Sequence, residues 1–490
     1  HNAPLLVIDG QQRLTTLTLL IAALSRALGD QEPMDGFSKK KLESYYLINP
    51  LETGDTFRKL VLSETDSDTL FAVIDNRELP DNHSRRIEDN FLYFQERIES
   101  QAGDLQNVCR GLAKLLVVYV ALSRKEDNPQ LIFESMNSTG RELSQADLIR
   151  NFVLMGLETD LQTRLYNQYW RPMEQAFGQE SYDNHFDSFM RHYLIVKTGD
   201  IPRLDDVYAA FKTYARSDSV AELGIEALVK DIRRYSQFYC SMALGKEADA
   251  DLKAAFHDLR ELRVEVAYPL LLELYADFDG GVLERDDFLA AIRLIESYVF
   301  RRAVRSIPAN SMNKTFATFG RALKKDRYLE SIMAHFLLMP SYRRFPSDEE
   351  FHQQIKVRDL YNFRSRSYWL RRFENFGRKE RVPVDEYTIE HIMPQNEDLT
   401  AEWQQALGDD WQRVHEKYLH TLGNLTLTGY NSEYSDRPFK EKRDMEGGFR
   451  HSPLKVNAGL GGLEEWTETT IVDRANTLAT RASDVWRFPS

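Results

Sequence analysis

Tyr387-Thr388-Ile389-Glu390-His391-Ile392-Met393-Pro394 and, further along, Leu422-Gly423-Asn424-Leu425-Thr426-Leu427-Thr428-Gly429-Tyr430-Asn431 are the two stretches around which the chain is organised. In the first, apolar and polar side chains alternate until Pro394 ends the run, which is the period of a short strand. The second alternates too, with Leu425 and Leu427 to one side and Thr426 and Thr428 to the other. Pro438-Phe439-Lys440-Glu441-Lys442-Arg443 follows, with proline where a helix opens. Strand, loop, strand, helix is a scaffold able to hold one divalent metal ion. Glu390 and Asn431 offer hard oxygen ligands. His391 is a base that can be half neutral near pH 7.

The opposite end of the chain carries a second pattern, Val7-Ile8-Asp9-Gly10-Gln11-Gln12-Arg13-Leu14-Thr15-Thr16-Leu17. Pro4 to Ile8 reads as a strand and Asp9-Gly10 as a turn. From Arg13 a helix is expected through Leu14, Leu17, Leu20, Ile21 and Leu24. A strand that turns through glycine into a helix N-terminus is a ready anion site, because free N–H groups and the helix dipole favour phosphate. Gln11, Gln12 and Arg13 add donors, and Thr15 or Thr16 adds a hydroxyl. The plainer alternative is that Gly10 only turns the chain and Arg13 pairs with a carboxylate. No Gly-Lys-Ser/Thr is present, so this is not a Walker loop.

Composition narrows the class. A chain of 490 residues has room for two to four domains with ample core. No apolar run reaches membrane-spanning length. No signal-peptide pattern occurs, and a chain opening at His1 inside an apolar strand is expected to be a fragment, truncated at its N-terminus. Cys109 and Cys240 alone support neither a disulfide scaffold nor a cysteine zinc site, and they suit the cytoplasm. With 63 basic against 76 acidic residues the net charge is −13, which argues against indiscriminate coating of DNA and requires any DNA-binding groups to be concentrated locally.

Between the two ends, Tyr45–Ile48 and Lys59–Leu62 suggest strands, residues 85–98 an amphipathic helix, and Leu115–Leu122 a buried strand. Ser144 with Asp147 three residues on reads as a capping box. From Leu157 to Leu338 the pattern is helix after helix, without a fixed repeat. Tyr298–Arg305 reads as a helix with one apolar and one charged face. Residues 361–381 interleave Arg364, Arg366, Arg371, Arg372, Arg378, Lys379 and Arg381 with Phe363, Tyr368, Trp369, Phe373 and Phe376. Such cations either anchor backbone phosphates, with Arg371, Arg372, Arg378 and Lys379 as the DNA-binding candidates, or flank an amphipathic helix packed on the scaffold.

Glu-His-Ile-x-Pro, then Gly-Asn-Leu-Thr-Leu, then Tyr-Asn followed by Phe-Lys-x-Lys resembles the ββα-metal (HNH) nuclease at the C-terminus of GmrSD-type proteins, which are modification-dependent (type IV) restriction enzymes. Asp-Gly-Gln-Gln-Arg resembles the N-terminal signature of the same family and the phosphate-gripping turn of ParB-like folds. The resemblance implies a mostly α protein with small α+β units. It divides into an N-terminal ParB-like α/β domain (1–156), a helical middle domain (157–345) and a C-terminal ββα-metal nuclease domain (346–490) ending in a helix.

It also implies roles. Glu390 and Asn431 would hold Mg²⁺ or Mn²⁺, His391 would be the general base, Asn424 would fix the loop or orient the base, and Lys440 would contact phosphate. Asp9, Gly10, Gln11, Gln12, Arg13, Thr15 and Thr16 would bind a nucleotide, GTP or ATP, with or without hydrolysis. Asn137, Asp147 and Arg150 join them because their stretch lies near the nucleotide pocket in the family. His415 and His420 read as structural, although His420 has a place near the site open to it. The expected function is a metal-dependent DNA endonuclease of phage defence, acting on modified foreign DNA under nucleotide control. Nicking versus double-strand cutting, and homodimer formation, stay open. The alternative is a nucleotide-gated DNA sensor whose HNH-like unit is structural.

Overall fold

A computed structural model describes residues 5, 7, 10–62, 64–100, 104–121 and 144–489. Asp9, Asn137, most of the expected strand from Pro4 to Ile8 and the end of the Leu115–Leu122 run lie outside the described residues. The fold is mostly helical with one small sheet. Two compact units divide the chain, within residues 1–142 and 143–490.

In the first unit, Gly10 adopts a left-handed φ of 88° immediately before the helix Gln11–Leu28. A Cβ is strained at that angle, so glycine suits the position. The helix buries Leu19, Ala22, Ala23, Leu24 and Leu28 against Ile87, Phe91 and Ile98 of the helix Arg85–Glu99 and Leu70 and Val73 of Glu64–Asp75. The Arg26 guanidinium lies 4.5 Å from the Phe91 ring centre.

The expected strand at Tyr45–Ile48 is instead helical. Residues 43–47 continue the helix that Ser38 caps, and the Ile48 N–H reaches back to the Glu43 carbonyl at 2.9 Å. A single antiparallel bridge, Ile48 with Arg58, is what remains of the expected pairing. Leu115–Val120 takes no regular secondary structure and forms no ladder among the described residues, and Leu116 is 96% exposed. A run of β-branched residues makes a strand only where another edge takes up its N–H and C=O groups.

The second unit opens at Ser144, whose hydroxyl accepts from the Asp147 N–H at 3.1 Å, the expected cap. The helix Gln145–Leu154 sends Ala146, Ile149 and Val153 into a core built by the long helices Gln179–Thr198, Ile225–Ala243, Ala250–Glu261, Tyr268–Asp279 and Arg285–Val304. Arg301 and Arg302 of the last of these are buried rather than on a charged face. Arg301 donates to the carbonyls of Trp486 and Pro346 and pairs with Asp348.

A second core joins Phe300 and Val304 to Tyr368, Trp369 and Phe373, to Leu425 and Leu427, and to Trp486. It lies under the strands β1 (Thr388–His391) and β2 (Leu425–Thr428), which pair antiparallel with Glu390 opposite Thr426 and His391 opposite Leu425. Helices Ala401–Leu407 and Trp411–Tyr418 fill the connection between them, Phe439–Asp444 follows with Pro438 as its N-cap, and Glu468–Val485 closes the chain. Among the described residues no helix is long and apolar enough to cross a membrane.

Candidate active site

Strand alternation sends neighbouring side chains of β1 to opposite faces. Glu390 and His391 therefore enter different surroundings, and both are buried, at 3% and 4% exposure.

Glu390 meets Lys442. The ammonium lies 2.6 Å from Oε1 and 3.2 Å from each of the carbonyls of His391 and Ile392. Burial pushes the Glu390 carboxyl up to about 6 and the Lys442 ammonium down, and the attraction between the two works against both shifts. Lys442 was not a sequence candidate; Lys440 was. The helix phase shows which one turns inward: Lys442 is three residues after the buried Phe439 and shares its face, whereas Lys440 is exposed.

His391 faces a cluster of rings. Its Nε2 lies 3.0 Å from His420 Nδ1, so one ring donates to the other. The Tyr361 ring stands edge-on to His391 at 4.5 Å and is nearly parallel to His420, 5.1 Å away. Burial, then the neighbouring His420 and Lys442, hold the His391 imidazole down to about 3, so it is neutral at pH 7. Asp359, which accepts from the N–H and side-chain amide of Asn362, adds a negative charge beside His420.

Asn424 ties the loop. Its Oδ1 accepts from the Met393 N–H at 2.7 Å and from Trp466 Nε1 at 3.3 Å, while its Nδ2 donates to the carbonyls of Met393 and Leu419, both at 3.0 Å. Of its two expected roles, fixing the loop is the one these bonds perform.

Asn431 is exposed, at the start of the short helix Asn431–Tyr434, and lines an open cleft with Glu386, Thr388, Gly429 and Ser432. The Glu390 carboxylate already holds a cation, the Lys442 ammonium, inside a cradle of three oxygens. A divalent ion there would have to displace it. As arranged, Glu390 and Asn431 do not fit a shared metal site, and among the described residues no cluster of three His, Cys, Asp or Glu side chains stands ready to hold an ion.

The cations expected on DNA mostly face inward. Arg371 pairs with Asp258 at 3.3 Å, Arg372 with Glu296 at 2.7 Å, and Arg378 with Glu374 while it donates to the Pro453 carbonyl. Lys379 is exposed.

At the first unit, Gln11 Nε2 donates to the Val7 carbonyl at 2.8 Å and the Thr15 hydroxyl to the Gln11 carbonyl at 2.9 Å. Gln12, Arg13 and Thr16 are exposed. Asp147 and Arg150 belong to the second unit, where Arg150 pairs with Asp147 at 3.0 Å and with Glu174 at 3.2 Å.

Comparison with known proteins agrees at both ends. Residues 345–481 match the model of the C-terminal domain of GmrSD restriction endonucleases. Residues 2–154 match the model of the N-terminal domain of the same enzymes. No curated protein matches the chain. The paired histidines and the hairpin lie inside the first match, Gly10 to Thr16 lie inside the second, and the two matches stand in family order. The chain belongs to the GmrSD restriction endonucleases, enzymes that cut DNA.

Proposed function

We propose that the hairpin unit hydrolyses a DNA phosphodiester with His391 as general base. The observation that carries this reading is the histidine pair, a neutral buried imidazole hydrogen-bonded to a second, less buried one at the end of β1. Hydrolysis requires a water to be deprotonated and aligned, and a positioned imidazole contributes on the order of a hundred- to ten-thousandfold to such a step. His420 fixes the tautomer and orientation of His391 and offers the proton a route outward. Lys442 neutralises Glu390 and holds the end of β1 through two carbonyls. Asn424 keeps the following loop closed. Mg²⁺ or Mn²⁺, which the resemblance implies, finds no ligand pair in Glu390 and Asn431 as they stand, so no step is assigned to it.

Incubating supercoiled plasmid and base-modified phage DNA with the parent and with His391→Ala tests the reading. Cutting by the parent that is lost in the variant supports it, and cutting that survives refutes it. The product, nicked or linear, reports the number of strands cut.

The first unit supports regulation by a nucleotide phosphate at the N-terminus of Gln11–Leu28, with Gln12 and Thr16 exposed beside Gly10. Repeating the reaction with GTP and with ATP tests this, and an unchanged rate with both removes it.

One observation favours a second reading, a nucleotide-gated DNA sensor whose hairpin unit is structural: His391 is 4% exposed and Glu390 is already paired. Nucleotide-dependent DNA binding by a parent that never cuts would support it.

A further inference from the structure

The basic run at residues 364–381 is not used uniformly. Arg371, Arg372 and Arg378 each pair with a carboxylate. Arg366 differs from them. It is exposed, and among the described residues no carboxylate pairs with it. Its guanidinium lies 5.0 Å from the centre of the Tyr361 ring. That ring is the one lying against both His391 and His420. A guanidinium seated on an aromatic face is held in place by the ring's quadrupole while its N–H edge stays open to solvent. An open N–H edge is the part of arginine that grips phosphate bidentately. In a chain of net charge −13, an unpaired cation at this position meets the need for local positive charge.

We propose that Arg366 grips a DNA backbone phosphate at the mouth of the His391–His420 pair, with Tyr361 as its seat. The proposal rests on the nuclease reading for its consequence in cleavage, but not for its consequence in binding. Contact with a phosphate beside the reacting one both anchors the strand and places the scissile bond over the imidazoles. Because the side chain is exposed, replacing it removes no core packing.

The test uses the full chain and four variants: Arg366→Gln, Arg366→Lys, His391→Ala, and Arg327→Gln as a charge control. Arg327 is also an exposed arginine, but it pairs with Glu330. Two quantities are read, the rate of plasmid cleavage and the affinity for a fluorescent duplex across a salt series. Arg366→Gln is expected to weaken duplex binding and to lower the slope of log affinity against log salt by about one, the signature of one lost phosphate contact. It is also expected to slow cleavage by about tenfold or more, with Arg366→Lys recovering part of the loss because the charge returns without the planar fork. Arg327→Gln leaves the salt slope closer to that of the parent.

A parental salt slope and parental cleavage in Arg366→Gln overturn the proposal, and with His391→Ala inactive the nuclease reading stands. If His391→Ala cuts as the parent does, the nuclease reading falls, and the salt slope of Arg366→Gln still decides the phosphate contact by itself.

Discussion

Lys442 and Glu390 form an ion pair in which the side chains are 0% and 4% exposed. Removing one partner of such a pair leaves an uncompensated buried charge, so Lys442→Met is expected to destabilise the second unit by about 3–5 kcal/mol. Urea unfolding measures this, and a midpoint equal to the parent's would show that the pair contributes nothing. His192 makes a different prediction. It is 5% exposed, lies among the rings of Tyr239 and Tyr268, and its Nδ1 has no partner among the described residues. Burial holds its imidazole down to about 3. Between that value and the ordinary one near 6.5, the unfolded chain binds a proton that the folded chain refuses, so stability falls as the pH drops, by about 1.4 kcal/mol per unit. His192→Phe, which suits an aromatic pocket, should flatten the pH dependence of unfolding by one proton between pH 6.5 and 4. An unchanged slope would place the acid sensitivity elsewhere, with His391 the next group to examine. The strand positions of Glu390 and His391 and the turn position of Asn424 were legible because neighbours in sequence fix them, whereas what each side chain meets was not. Lys442 was legible in principle, from helix phase against Phe439.

The hairpin and its flanking helices were read from the sequence because their signals are local: alternation in Thr388–His391 and Leu425–Thr428, proline before Phe439. The loop that joins the Trp411–Tyr418 helix to β2 depends on contacts that no local pattern shows. A Cβ on Gly423 would stand 2.5 Å from the Ile471 carbonyl and 2.9 Å from the Ile471 Cγ2 in the closing helix. Arg474 of the same helix donates to the carbonyls of Leu422, Gly423 and Leu425 at 2.7–3.1 Å. Gly423→Ala is therefore expected to force the helix Glu468–Val485 off the loop, costing on the order of 1–3 kcal/mol by overpacking. Asn424→Ala leaves the Met393 N–H and the Leu419 carbonyl unsatisfied, at about 1–3 kcal/mol for each such group. Thermal unfolding of the two variants checks both, and a parental melting temperature in Gly423→Ala would mean the helix has room to yield. The failed strands at Tyr45–Ile48 and Leu115–Leu122 carry the converse lesson. Their residue types suit strands, but residues 43–47 complete a helical turn and Leu115–Val120 meets no pairing edge among the described residues.

Within the second unit, the middle helices and the hairpin share one core. Glu296, 1% exposed, accepts from Tyr368 Oη at 2.6 Å and from Arg372 at 2.7 Å, and pairs with Arg293 at 2.6 Å. Trp486 Nε1 donates to the same Tyr368 hydroxyl at 2.6 Å. Arg293 and Arg372 hold the Glu296 carboxyl down to about 2 against its burial. Glu296→Leu should leave Arg293 and Arg372 to share the remaining carboxylate of Asp258, and destabilise the unit by about 3–5 kcal/mol. Arg372→Met should destabilise it too, without changing the salt dependence of DNA binding, since Arg372 faces a carboxylate and not solvent. A salt slope lowered by about one in Arg372→Met would instead return that arginine to the DNA surface. The sequence by itself determined the class, a helical protein with a strand–loop–strand–helix unit near its C-terminus and a glycine-opened helix near its start. Periodicity, caps and motif order are properties of neighbouring residues. Tertiary structure alone decided which charges are spent on stability and which stay exposed. The partner of Arg372 lies 76 residues away, that of Lys442 lies 52 away, and the ring seating Arg366 also lies against His420. A cation pairs with whatever the fold brings within about 4 Å, and spacing along a helix says which way it points but not what it meets.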